Sequence, residues 1–217
     1  MRREPTAEAP RPGRRERQKA ERERRILGAA ETLFAKRGYA KTPMTAIARR
    51  AGLAVGTLYN YFPSKPEIVA ALLRRETGET LEAGERVRKH PPADPEAAVL
   101  ALFDVYVELV LRHDRQQLRE LLAAAVAQPE PLARAAFEMD ARLVGQLAEL
   151  LGDLQRRGEL AAGLEPGHAA LTLYAIYASW LFLYATVDAL APERFRGEVR
   201  AGITTALRGV LAGDARS

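Results

Sequence analysis

The chain has no cysteine, which excludes disulfides, thiolate metal centres and thiol nucleophiles. Histidine is nearly as scarce: His90, His113 and His168 have no metal-ligand spacing between them. No glycine-rich phosphate loop follows a strand pattern, and acidic residues such as Glu120 and Glu130 have no motif around them. The sequence therefore argues against an enzyme, and no metal or cofactor is expected. Strand-like alternation is missing over any convincing length, as is an internal repeat. The N-terminus carries Arg, Pro and Glu rather than an apolar segment, so no secretory signal is expected. Charge is missing from one long stretch, residues 169–187, a run of 19. That is near the length of a membrane span. Thr172, Ser179, Thr186 and three tyrosines interrupt it, and it stands alone. A buried helix in a cytoplasmic protein with no membrane partner is the expectation.

What the chain does have is charge asymmetry. Residues 1–65 hold 16 Lys or Arg against 6 Asp or Glu, whereas residues 66–217 hold 17 against 22. A basic module joined to a mildly acidic one suits phosphate binding by the first and another task for the second. A solvated basic tail on an ordinary helical protein is the alternative. Periodicity reads as helix throughout. Residues 1–18, rich in Arg, Pro and Glu, are expected to be disordered. Helix one covers about 20–37, with Ile26, Ala29, Ala30, Leu33 and Phe34 at helical spacing and Gly38 as its stop. A helix from 65 to 89 breaks at His90-Pro91-Pro92, and Asp94 caps the next, through about 113 or with a bend to 127. Gln128-Pro129-Glu130-Pro131 is another break. A stripe from Leu132 through Leu143, Leu147 and Leu150 to Leu154 follows, ending near Gly158. The uncharged helix, 168–190, and a last one opening at Ala191-Pro192 complete the chain.

Residues 42–65 are the most informative. Thr42 reads as an N-cap with Pro43 at the first helical position. Ile47, Ala48 and Ala51 share one face, and Gly52 ends the helix where a left-handed residue is wanted. Leu53 and Leu58 bury a second short helix, leaving Val55, Gly56, Thr57, Tyr59 and Tyr61 as its other positions. Ser64-Lys65-Pro66-Glu67 is a capping box that starts a third. That is the layout of a helix-turn-helix DNA reader. Its second helix belongs in the major groove of double-stranded DNA. There Val55 offers methyl contact to thymine, Thr57 and Thr45 offer methyl or hydroxyl, and Gly56 permits close backbone approach. The arm, with Arg11, Arg14, Arg15, Arg17 and Lys19, either enters an adjacent minor groove or is solvated charge.

Together with Ile26 to Phe34, Gly38-Tyr39, Gly56-Thr57-Leu58-Tyr59 and Tyr61-Phe62-Pro63-Ser64-Lys65, the motif resembles the DNA-binding domain of the tetracycline-repressor-like (TetR) family. The likeness covers roughly residues 20–75, and its Tyr-x-Tyr-Phe-x-x-Lys tail makes it more specific than a bare helix-turn-helix. Many members carry Ser at position 54 and a basic or polar residue at 55, where this chain has Ala54 and Val55. The resemblance implies an all-α fold: a three-helix reader (19–65, after the 1–18 arm) and a larger helical effector-binding and dimerisation domain (66–217). It implies that Tyr59 and Tyr61 hydrogen-bond or pack on the DNA backbone and that Lys65 meets a phosphate. The last two helices would form a dimerisation pair, with Phe195, Val199, Ile203, Ala206 and Val210 at the interface; an intramolecular core is the competing reading. An effector pocket, read from polar groups on an apolar face, would use Phe103, Tyr106, His113, Gln117, Met139, Tyr177, Trp180 and Tyr184, each of which could instead be core. The function implied is a transcriptional regulator. Repression of a palindromic (inverted-repeat) operator, relieved by a small, largely apolar effector, is the default. An activator of the same fold and an architectural DNA-binding protein are the alternatives.

Overall fold

The computed structural model describes residues 13–127 and 129–208, and these form nine helices. They divide into two compact units, one ending at Ile68 and one beginning at Val69.

The first unit contains α1 (Arg14–Arg37), α2 (Met44–Ala51), α3 (Val55–Tyr61) and the first residues of α4 (Lys65–Lys89). α1 begins inside the stretch expected to be disordered. The Glu16 carboxylate accepts the Gly13 N–H at 2.8 Å, and the following Arg, Gln, Lys, Glu and Ala are good helix formers. Residues 1–12 of the expected arm, Arg11 included, lie outside the described residues. Thr42 does not cap α2: its buried hydroxyl donates to the Gly38 carbonyl at 2.9 Å, closing the end of α1 instead. Pro43 takes the cap position, its carbonyl accepting from Ala46 at 3.0 Å and Ile47 at 3.3 Å. Proline suits that place because an N-cap needs no N–H. Ile26, Ala30, Ile47, Ala48, Leu58 and Ile68, all fully buried, form the unit's core.

The second unit holds the rest of α4 with α5 (Pro95–Leu111), α6 (Arg115–Ala127), α7 (Pro129–Arg156), α8 (Pro166–Thr186) and α9 (Pro192–Arg208). α5 starts on the Asp94 carboxylate, which accepts from Ala97 N at 2.7 Å. α6 is a separate helix because Asp114 and Gln117 bond each other's backbone N–H, at 2.8 and 3.2 Å, in a capping box. The expected break at 128–131 survives as a non-helical Glu130 (φ −103°, ψ 132°) near the start of α7. Leu102, Phe103, Tyr106, Leu147, Leu150, Leu154, Leu173, Tyr177, Phe195, Val199 and Ile203 belong to one buried cluster. α4 and α7 meet closely at Gly84, where an added Cβ would stand 2.4 Å from the Gln146 amide oxygen. Gln146 donates to the Leu81 carbonyl at 2.9 Å and accepts from the Tyr106 hydroxyl at 2.7 Å, joining α4, α5 and α7.

Candidate nucleic-acid interface

α3 is fixed from below and open above. Leu58 is fully buried, and Gly52 supplies the left-handed turn before the helix (φ 66°), with Leu53 N–H reaching back to Ala48 O at 3.0 Å. The guanidinium of Arg25 on α1 donates to Ala51 O at 2.5 Å and Gly52 O at 3.3 Å, capping the last carbonyls of α2 at the turn. Val55, Gly56 and Tyr59 are exposed, Thr57 and Tyr61 are half-buried, and Thr45 is exposed in the first turn of α2. A Cβ at Gly56 would meet nothing within 4 Å, so no packing demand of the protein itself keeps that residue small. Arg49 and Arg50 are exposed, as are Arg14, Arg15, Arg17, Lys19 and Arg22 along the N-terminal half of α1. The exposed atoms combine methyl and hydroxyl groups, a bare backbone and cations around one short helix. Such a set can read base edges while its surroundings bind phosphate.

Lys65 holds the far side of this unit. Its ammonium donates to Tyr39 O at 2.6 Å and sits 4.2 Å from the centre of the Tyr39 ring, and that ring packs on Phe34 at 5.6 Å. Burial pushes the Tyr39 phenol up. Glu67 N–H reaches Ser64 Oγ at 3.4 Å, one half of the expected capping box.

In the second unit the residues assigned to an effector pocket scatter over different tasks. Phe103, Tyr106, Tyr177 and Tyr184 are buried, whereas Met139 and Trp180 are half-buried. Phe103 contacts the Tyr177 ring at 5.9 Å, and Tyr184 stacks on Phe195 at 4.8 Å beneath the Arg115 guanidinium. His113 pairs with Glu76 of α4 at 2.9 Å, which raises the imidazole above its ordinary value against the effect of burial. Gln117 serves the α6 cap.

The assignment of α9 needs correction. Phe195, Val199 and Ile203 are fully buried within a single chain, where α9 packs on α5 and α8, so this stripe cannot be an intermolecular surface; Ala206 is half-buried beside it. Val210 lies outside the described residues. Apolar periodicity marks the face a helix buries, and here that face is consumed by the protomer's own core. The exposed large side chains of α8 are Leu171, Phe182 and Leu183, with small or hydroxyl residues Thr172, Ala175, Ser179 and Thr186 among them. On α9 the exposed side carries Gly197, Ala201 and Thr205. α8 is the one described helix long and apolar enough to cross a membrane.

Sequence reasoning missed Arg25 and Gln146. Arg25 lay hidden in a run of charge.

Residues 26–72 match the family of bacterial regulatory proteins called the tetR family. The transcriptional repressor KstR of Rhodococcus jostii is 34% identical over 131 residues, 60% of this chain and 58% of that protein. This alignment spans less than two thirds of KstR. The transcriptional regulator TtgR of Pseudomonas putida is 29% identical over 84% of this chain and 88% of its own. The crystal structure of the Thermus thermophilus repressor FadR in complex with lauroyl-CoA has a TM-score of 0.70 at 26% identity, over 90% of this chain and 98% of that one. Residues 26–72 are a DNA-binding domain of the tetR family, and the chain as a whole has an all-helical fold similar to that of transcriptional regulators.

Proposed function

We propose that the chain is a homodimeric repressor, acting in the cytoplasm on an inverted-repeat operator and released by a small effector with a large apolar part. The observation that carries this is the exposed group of Thr45, Val55, Gly56, Thr57 and Tyr59 on an otherwise buried three-helix unit of strongly basic sequence. One such helix spans only a few base pairs, and a two-fold mate doubles the reading at a fixed half-site spacing. The exposed faces of α8 and α9 are the surface for that mate, their small residues permitting close helix approach. The second unit, with its polar groups set in an apolar core, suits binding of an effector rather than turnover, and the relatives KstR, TtgR and FadR support regulation over catalysis. Tyr61 and Lys65 are assigned to the DNA backbone, Lys65 from the place beside Tyr39 where its ammonium also meets the Tyr39 carbonyl.

A randomised-site selection with the purified protein tests the reading: enrichment of an inverted repeat is expected, and enrichment without symmetry would refute the dimeric reader. On the selected site, Lys65→Ala should weaken all sequences alike and lower the salt slope by about one unit. Weakening with an unchanged slope would assign Lys65 to anchoring the Tyr39 loop alone. Val55→Ala and Thr57→Ala should instead relax preference at single base pairs by about 1–3 kcal/mol.

A further inference from the structure

α8 ends without a local stop. No glycine stands between Gly167 and Gly197, and the cap residue Val187 is extended (φ −105°, ψ 107°). The last carbonyls of a helix lack N–H partners of their own, and the left-handed turn that commonly serves them is missing at this end. Two arginines one turn apart on α6 serve them instead. Arg115 donates to Val187 O at 3.0 Å and to the carbonyls of Asp188 and Leu190. Arg119 donates to Ala185 O at 2.7 Å and pairs with the Asp188 carboxylate. The Arg115 guanidinium also lies 4.7 Å from the centre of the Tyr184 ring, which stacks on Phe195 of α9. The Asp114–Gln117 box fixes where α6 begins, and Leu118 between the two arginines is buried in the main cluster. Cations at the carbonyl end of a helix also oppose its dipole favourably.

The same junction carries Phe182, Leu183 and Val187, exposed apolar side chains of the face assigned to the mate. A frayed end would present them in many arrangements, and pairing would have to fix that backbone anew. Charge-assisted bonds made within one protomer remove this ordering cost beforehand. We propose that Arg115 and Arg119 of α6 are positioning residues for self-association, preorganising the end of α8 on which a second copy of the chain packs. This rests on the dimeric reading above and adds a third helix to what sets the strength of the dimer.

Sedimentation equilibrium of the full chain tests the inference, with circular dichroism on the same samples. Methionine keeps an apolar stem like that of arginine and removes the donors. Arg119→Met, at the more exposed of the two positions, should keep the helical spectrum. Its dimer dissociation constant should rise by about tenfold or more, because ordering each backbone residue anew costs about that factor. Arg115→Met, which loses three carbonyls and the Tyr184 ring, should raise it further; if that variant loses helicity, Arg119→Met alone decides. Asp188→Asn should change the constant by about twofold at most, since an exposed ion pair contributes little. Arg134→Met, which removes an arginine paired with Glu130 inside α7, should leave it unchanged. Amide exchange over residues 183–190 should quicken in the arginine variants of α6. A folded Arg119→Met that pairs like the wild type overturns the inference. So does an equal loss from Asp188→Asn, which would place the effect in the surface ion pair rather than at the carbonyls. A monomeric wild type would instead remove the dimeric reading itself.

Discussion

Gly52 and Gly56 stand four residues apart and answer to different constraints. Gly52 has φ 66°, and a Cβ there would come 2.7 Å from the Arg25 guanidinium. Alanine should cost about 1–2 kcal/mol for the left-handed backbone alone, read as a lower urea midpoint. Gly56 is helical with open space above it, so Ala should hold stability or raise it by up to about 1 kcal/mol while weakening operator binding. If Gly56→Ala bound operator normally, the backbone approach assigned to that residue would be wrong. The sequence announced Gly52 because a left-handed stop has a local signature. It could not announce Arg25, whose partners lie 26 and 27 residues away. His113 is similar: its position was legible and its partner Glu76 was not. Because the native imidazole is raised, its stabilisation is full below the unfolded value of about 6.5 and lost as pH rises through the native one. His113→Gln should therefore lower the Tm in mildly acid buffer and do so much less at pH 9. A pH-independent difference would remove the ion pair from the account.

At the scale of elements, caps and breakers carried most of the information. Gly38, Gly52, Asp94 and the Pro-rich turns bound helices close to where they were expected, because each acts on its own neighbours. The Asp114-x-x-Gln117 box was equally local and was passed over, which left open whether the helix from Asp94 stops near 113 or bends on to 127. The face of α9 is a different kind of question. Periodicity gives the buried stripe but not what buries it, and only the placement of α5 and α8 shows that Ile203 is spent inside the protomer. Ile203→Arg should accordingly unfold the second unit, seen as lost helicity. Ala201→Arg, on the exposed side, should keep the fold and give monomers in sedimentation. A folded dimer from Ala201→Arg would exclude that face as the interface. Gly202 adds a further check on α8 against α9. A Cβ there would lie 2.7 Å from Ile176 Cγ2, so Gly202→Val should lower the Tm by overpacking.

For the whole molecule, the proposed release from DNA would be a matter of coupling between two binding events. Paired recognition helices must meet major grooves about 34–36 Å apart, so a small change in their separation ends simultaneous engagement. An effector preferring the released arrangement by about 1–3 kcal/mol would weaken operator binding about 5–150-fold, and the operator must weaken effector binding by the same factor. Calorimetry of an effector with and without operator should show that loss. Equal affinities would leave a DNA binder that the ligand does not control.

The exposed apolar side of α8, with Phe182 and Leu171 more than half accessible, has a consequence for how much protein the cell must hold. If only the paired form reads DNA, the concentration of that form falls with the square of chain concentration once the chain drops well below the dimer constant. Occupancy of the operator would then respond to synthesis and dilution with a threshold rather than in proportion. A twofold dilution of the chain by growth would then remove more than half of the form that reads DNA.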